Sequence, residues 1–149
     1  MTNMMRFYLA IFGLQILLIS SATVSFAQVD PTKALIGTWE GQIEISRGNN
    51  ARALIINSVK AKGEGEWVAR GRYNYPDQIN QESGGGQAMT VSTKNNEIFV
   101  DFKSGNANNP VHLKLVGDNK LEGTVDLGGK TGDRRIKFEK VAPKAGDVK

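Results

Sequence analysis

Apolar and polar side chains alternate along residues 35–46, and this alternation predicts the first structural element. One face carries Trp39, Gly41, Ile43 and Ile45, whereas the opposite face carries Thr38, Glu40, Gln42, Glu44 and Ser46. An α-helix would place Gln42 and Ser46 on the same face as Trp39, so the two-residue period indicates a half-buried β-strand. The turn-prone Gly37 marks the point where the chain enters this strand.

The same two-residue period recurs in seven further segments that are separated by short polar turns. The predicted strands span residues 51–60, 66–75, 87–93, 97–103, 111–116, 121–127 and 134–141. No segment of ten or more residues has helical periodicity. The pattern therefore predicts an all-β domain, an eight-stranded antiparallel up-and-down β-barrel in which the eighth strand pairs with the first and no edge stays free. The alternative is a β-sandwich.

The third predicted strand allows two interpretations of the barrel interior. Arg70 and Arg72 share one face, whereas Trp67, Tyr73 and Tyr75 share the other. Inward arginines would form a site for a carboxylate or phosphate head group, but burying two unpaired charges is costly. The aromatic face is therefore predicted to be inside. The second strand is apolar on both faces, with Leu54 and Ile56 on one and Ile55 and Val59 on the other.

Residues 1–27 have the organisation of a secretory signal peptide. A short basic stretch precedes an apolar run over 7–19, and Ser25 and Ala27 supply small residues at the −3 and −1 positions of a cleavage site. Cleavage between Ala27 and Gln28 predicts a secreted or periplasmic protein with no integral membrane span. The alternative is an uncleaved anchor, but the apolar run is shorter than the ~20 residues that span a bilayer.

The rest of the chain divides into three parts: a lead-in over 28–34, a β-barrel domain over 35–142 and a disordered C-terminal tail over 143–149. Cleavage leaves 149 − 27 = 122 residues, which is enough for one domain with its own hydrophobic core. The longest connection, 76–86, is polar and ends in three glycines, so a mobile loop is expected there.

The composition makes several kinds of chemistry improbable. The chain has no Cys, which excludes disulfides, thiol nucleophiles and thiolate metal sites, and a single His112 supports neither a zinc site nor a Ser-His-Asp triad. No metal and no cofactor are expected. The net charge is +4, or +3 once Arg6 leaves with the signal peptide. Basic residues are interspersed, so no nucleic-acid partner is expected.

Three short patterns that resemble functional sites are interpreted as surface turns. The carboxylates of Glu64 and Glu66 flank a turn and are expected to be solvated rather than to act as an acid–base pair. The glycines at 84–86 lack the Lys-Ser/Thr of a phosphate-binding loop, and Asp118-Asn119 lacks the distant acid of a calcium loop. The protein is accordingly predicted not to be an enzyme.

The sequence Gly37-Thr38-Trp39 resembles the Gly-x-Trp signature that opens the first strand of lipocalins and of the wider calycin group, which includes the avidins. The resemblance implies a ligand-holding barrel whose Trp packs inside the closed end, with a basic residue of the last strand lying across it. Arg134, Ile136 and Phe138 are at alternate positions of the last strand, so Arg134 shares the face that is predicted to point inward. The resemblance therefore implies that Arg134 stacks on Trp39 and that the two form a barrel-closing pair.

The chain also departs from these families. It is shorter than a typical lipocalin and has no disulfide, and the segment 40–43 lacks the Asn and Ser that hold biotin in avidins. Only two Trp residues are present, too few for the avidin tryptophan box. Biotin binding is therefore not expected.

Two functions remain compatible with the sequence. The first is a carrier that holds a small hydrophobic or amphipathic ligand in its lumen, lined by Trp39, Ile43, Trp67, Tyr73, Met89, Val100, Phe102 and Leu113. The second is a filled barrel that binds a protein partner through its loops, as an inhibitor of a secreted hydrolase would. Small periplasmic barrels of the alkaline protease inhibitor type are similar in size.

Overall fold

The computed structural model describes residues 30–142 apart from 46, 49, 81–85, 105–107 and 130–131. The predicted signal peptide, with its cleavage site after Ala27, and the predicted disordered tail over 143–149 lie outside the described residues.

The chain forms one closed barrel of eight antiparallel strands in sequential order. The strands are β1 Gly37–Ile43, β2 Ala51–Gly63, β3 Glu66–Asn74, β4 Gln87–Lys94, β5 Glu97–Ser104, β6 Asn109–Val116, β7 Lys120–Asp126 and β8 Asp133–Val141. β1 pairs with both β2 and β8, which closes the sheet. The predicted up-and-down barrel and its closure by the first and last strands are confirmed, and the β-sandwich alternative is wrong.

A short helix that the sequence pattern did not predict precedes the barrel. Helix α1 spans Pro31–Leu35, so it covers the second half of the lead-in predicted over 28–34 and the first residue of the predicted barrel domain. Asp30 caps its N-terminus, because its Oδ1 accepts hydrogen bonds from the Thr32 backbone N–H at 3.0 Å and from the Thr32 hydroxyl at 2.6 Å. These two bonds lower the pKa of Asp30. Leu35 ends the helix, and β1 begins at Gly37, the residue through which the sequence pattern predicts that the chain enters the first strand.

The interior side chains come from alternate positions of every strand and form one hydrophobic cluster. In β2, Leu54 and Ile56 point inward, and a register shift between Ile56 and Ser58 then lets Val59 point inward too. This β-bulge explains why the second strand appeared apolar on both faces, since one extra residue reverses the alternation. In β3 the inward residues include Ala69 and Tyr73, while Arg70 is exposed, which confirms that the aromatic face is inside.

The two ends of the barrel differ in their connections. One end, named here the helix end, carries α1 and the short turns at 64–65, 95–96 and 117–119. Asn95 and Asn96 adopt φ values of 52° and 64° there, the positive values that a two-residue hairpin turn requires. At the opposite end, named the loop end, lie the longer connections 44–50, 75–86, 105–108 and 127–132.

Part of the long connection over 76–86 is folded. The Tyr75 carbonyl oxygen accepts hydrogen bonds from the backbone N–H groups of Gln78 and Ile79, each at 3.0 Å. The Ile79 side chain is only 4% exposed although it lies outside the interior cluster. The interpretation of this connection as a purely polar, mobile loop missed this burial, and residues 81–85 lie outside the described part of the chain.

Candidate functional site

The helix end of the barrel is closed by Trp39, which is completely buried. Its indole Nε1 donates a hydrogen bond of 2.9 Å to the carbonyl oxygen of Leu35, the last residue of α1. The carbonyls of a last helical turn have no partner within the helix, so this bond satisfies one of them. A buried indole N–H also needs an acceptor. The Trp39 side chain therefore fixes the helix across the end of the barrel.

A second side chain, Lys140 of β8, completes this arrangement. Its Nζ lies 5.1 Å from the centroid of the Trp39 ring and donates a 2.8 Å hydrogen bond to the Ala34 carbonyl oxygen. A cation is favourable both over an indole face and at a helix C-terminus. Partial burial of the Lys140 ammonium removes water from the charge and so lowers its pKa.

The expectation that Arg134 stacks on Trp39 is wrong, because the register of the strands places the two residues at opposite ends of the barrel. Trp39 lies opposite Lys140, whereas Ile43, at the other end of β1, lies opposite Ile136. In an antiparallel pair the start of one strand meets the end of the other, so Arg134, at the start of β8, lies at the loop end. The basic residue that lies across Trp39 in the last strand is Lys140, which shares its parity with Phe138.

The eight predicted lumen residues all point into the barrel. Six of them are buried members of the interior cluster: Trp39, Ile43, Met89, Val100, Phe102 and Leu113. Trp67 and Tyr73 are partly buried and pack against that cluster. Their inward placement agrees with the sequence pattern, whereas their contact with a ligand stays a prediction.

Three aromatic rings from distant strands meet inside the lumen. The ring centroid of Tyr73 in β3 lies 5.3 Å from that of Phe102 in β5 and 6.3 Å from that of Phe138 in β8, both in edge-on geometry. Phe138 also fills the place beside Gly41, where an added Cβ would lie 2.7 Å from the ring and 1.8 Å from the Lys137 carbonyl oxygen. These rings form an apolar layer across the barrel, named here the aromatic layer.

Arg52 is the main inward-facing charge next to the aromatic layer, and the sequence interpretation did not identify it. It shares the inward parity of Leu54 and lies opposite Gly41 of β1. Its guanidinium carbon lies 4.1 Å from the centroid of the Tyr75 ring, and Nη1 donates a 2.7 Å hydrogen bond to the Ala51 carbonyl oxygen. A weaker contact of 3.4 Å joins Nη2 to the Tyr75 hydroxyl. These contacts hold the charged group in a defined position.

The Tyr73 hydroxyl belongs to the same surroundings. Burial raises the pKa of Tyr73, and the positive charge and hydrogen bond of Arg52 partly offset this increase. Tyr73 thus presents a neutral hydroxyl group beside a cation at the edge of the aromatic layer. Leu54 points inward, and Arg52 precedes it by two residues on the same face of β2. The sequence would therefore have located Arg52 if the inward face of β2 had been known.

Other polar groups face the lumen at the loop end. Gln87 precedes the inward-facing Met89 by two residues, and its Nε2 is buried with no hydrogen-bond acceptor among the described residues. Ser104 is 6% exposed and follows Phe102 by two residues. Arg134 is half-buried with the inward parity of Ile136. The inner surface therefore changes from apolar to polar toward the loop end.

The single histidine of the chain, His112, lies on the outer surface and contacts a carboxylate. Nδ1 of His112 lies 2.7 Å from Oδ1 of Asp101, and both side chains are well exposed. Glu64 and Glu66 are exposed as well. Within the described residues, no group of three or more His, Asp or Glu side chains is placed to hold a metal ion, and no helix has the length and apolar character of a membrane span.

A shallow groove of about 440 Å³ lies on the outside of β6, β7 and β8. The residues that line it include Lys114, Glu122, Gly123, Arg135 and Lys137. A Cβ at Gly123 would come within 1.8 Å of the His112 carbonyl oxygen. The groove is charged, open and separate from the lumen.

Comparisons with known proteins give no family. No protein-family model matches the chain, and no curated protein matches it. Two designed barrels are similar in structure. A redesigned β-barrel named b11L5F_LGL is 13% identical, with a TM-score of 0.42, over 73% of this chain and 93% of its own. A de novo designed fluorescence-activating β-barrel is 14% identical, with a TM-score of 0.42, over 76% of this chain and 99% of its own.

Proposed function

We propose that the protein is an exported, non-enzymatic binding protein that holds a small amphipathic ligand at the loop end of its lumen. The observation that carries this proposal is the change in the inner surface along the barrel. Trp39, Leu35 and Lys140 close the helix end, whereas at the loop end the aromatic layer lies beside Arg52 and the Tyr73 hydroxyl. Small-molecule sites typically combine apolar walls with a few placed polar groups.

We also propose that the barrel is related to the lipocalins and calycins. An inward Trp after Gly37, with a basic side chain of the last strand across it, is the arrangement that the Gly-x-Trp resemblance implies, and Trp39 with Lys140 has this geometry. Eight strands leave an interior that holds either side chains or one small ligand. Export rests on the signal peptide predicted from residues 1–27.

Binding of N-phenyl-1-naphthylamine, a small apolar dye whose fluorescence increases in apolar surroundings, tests the proposal. Gln87→Trp places a large ring on the inward face of β4 above Met89, whereas Ala88→Trp places the same ring outside the barrel. We expect saturable dye binding to the wild type and to Ala88→Trp, and at least a tenfold loss (about 1.4 kcal/mol) in Gln87→Trp. Equal binding by the two variants would contradict binding in the lumen.

A second function is favoured by the contacts within the aromatic layer. The rings of Tyr73, Phe102 and Phe138 already fill part of the lumen, as expected of a filled barrel whose loop-end connections contact a protein such as a secreted hydrolase. In that case the wild type would bind no dye. Gln87→Trp would then strongly destabilise the fold, because a filled interior has no room for the added ring.

A further inference from the structure

The groups around Arg52 point to the chemical class of the ligand. We propose that the ligand is a small amphiphile with one carboxylate head group, that Arg52 binds this carboxylate, and that the apolar part of the ligand lies against the aromatic layer. This inference rests on the proposed lumen-binding function and deepens it.

The charge of Arg52 lies beside the apolar rings of the aromatic layer. The strand register places Arg52 opposite Gly41, and Gly41 opposite Phe138. Because Gly41 has no side chain, Arg52 and the Phe138 ring are consecutive side chains along this row of the inner surface. A cation beside an apolar ring layer matches the two parts of an amphiphile, a charged head group and an apolar body.

The guanidinium of Arg52 is held in a defined position by its neighbours. The stacking of Arg52 on Tyr75 at 4.1 Å and its 2.7 Å bond to the Ala51 carbonyl oxygen restrict its rotamers. A side chain that is ordered before binding loses little entropy when the ligand arrives. A guanidinium carries five N–H donors in one plane, which suits a planar carboxylate.

The charges on the inner surface of the barrel are positive. At the inward strand positions of the described residues, the charged side chains are Arg52, Arg134 and Lys140, and no Asp or Glu occurs there. Lys140 is engaged with Trp39 and the Ala34 carbonyl oxygen at the helix end. The loop end of the lumen is therefore a positive region, and a positive cleft with apolar walls concentrates anions.

The loop end of the lumen also carries uncharged hydrogen-bond donors. Tyr73 has a raised pKa, so its hydroxyl is protonated at neutral pH and available as a donor. Nε2 of Gln87 is a buried donor without an acceptor among the described residues, and such a group is costly unless it is satisfied. Both groups favour an acceptor-rich head group over an ammonium.

Titration calorimetry of the full chain with octanoate, octan-1-ol and octylamine tests the proposal, because each molecule has eight carbons in a straight chain and the three differ at the first carbon. We expect octanoate to bind about tenfold more tightly than octanol, since a charge-assisted hydrogen bond is worth about one decade or more in affinity. Octylamine is expected to bind most weakly. Equal affinity for octanoate and octanol would overturn the carboxylate proposal while leaving lumen binding intact. No binding of any of the three would overturn the proposed function itself.

Variants then test the assignment to Arg52. Arg52→Gln should reduce octanoate affinity about tenfold, to that of octanol, and leave octanol binding nearly unchanged. Arg70→Gln, on the exposed outer face of β3, is the matched control and should change neither. Preservation of the octanoate preference in a folded Arg52→Gln protein, or its loss in Arg134→Gln instead, would overturn the assignment. If Arg52→Gln does not fold, the Arg134→Gln result and the wild-type preference still decide the proposal.

Discussion

Lys140 lies over Trp39, with its Nζ 5.1 Å from the ring centroid, and the two side chains donate to the consecutive carbonyl groups of Ala34 and Leu35. One cluster thus joins the first strand, the last strand and the preceding helix. It satisfies two carbonyls of the last turn of α1 and closes the helix end of the barrel. The proposed ligand site is at the opposite end, the loop end.

We predict that Trp39→Ala lowers the free energy of unfolding by about 3–5 kcal/mol, the usual cost of removing a large buried aromatic side chain. Lys140→Met, which keeps the aliphatic stem but removes the charge, should cost about 1–2 kcal/mol. The two losses should be coupled, since the side chains are in contact. Urea unfolding of the single and double variants measures this, with Lys137→Met, on the exposed face of β8, as the control.

Arg134 provides the corresponding negative test. Because Arg134 lies at the loop end, away from Trp39, the effects of Trp39→Ala and Arg134→Ala should add to within about 0.5 kcal/mol. Arg134→Ala should cost about 1 kcal/mol through the packing of its stem, and the exposed Arg135→Ala should be nearly neutral. Strong coupling between Trp39 and Arg134 in urea unfolding would refute the register described here.

Gly37→Ala should destabilise the barrel more than Gly117→Ala does. Both glycines have positive φ values, 140° and 63°, which cost an L-residue roughly 1–3 kcal/mol. At Gly37 an added Cβ would also lie 2.9 Å from Cε of Lys140, whereas at Gly117 nothing lies within 4 Å. Thermal unfolding of the two variants compares them directly, and equal melting temperatures would contradict the contact between Gly37 and Lys140.

The raised pKa of Tyr73 predicts a loss of stability in alkali. Burial holds the pKa of the folded protein above the ordinary value of 10.0, so the folded state keeps a proton that the unfolded chain loses. This contribution is fully present below about pH 10 and decreases as the pH rises through the pKa of the folded protein. In Tyr73→Phe, the free energy of unfolding in urea should therefore depend less on pH above the ordinary tyrosine pKa of 10.0. An unchanged slope would show that Tyr73 is not the group responsible.

The sequence pattern was sufficient for the barrel because the period of two recurs along the chain from strand to strand and places one face of the sheet inside. Trp39, Met89 and Leu113 were located by parity alone. The phase of β2 was not predictable in this way, because the bulge between Ile56 and Ser58 interrupts the alternation, and the position of Arg52 depended on that phase.

The error about Arg134 had a different origin. Parity correctly placed its side chain inward, but antiparallel pairing puts the start of β8 beside the end of β1, and Lys140 therefore occupies the position across Trp39. Helix α1 was missed because five residues are too few to show helical periodicity. Its stability depends on tertiary contacts from Trp39 and Lys140, and no local pattern encodes those contacts.

The most direct test of the central claim is a backbone amide NMR titration of the full chain with octanoate. Ligand binding at the loop end of the lumen predicts the largest chemical-shift changes at Arg52, Tyr73 and Gln87, with little change at the helix-end residues Gly37 and Asn119. Changes concentrated at Lys114 and Lys137, on the outer groove of β6 to β8, or the absence of any saturable change, would contradict the account.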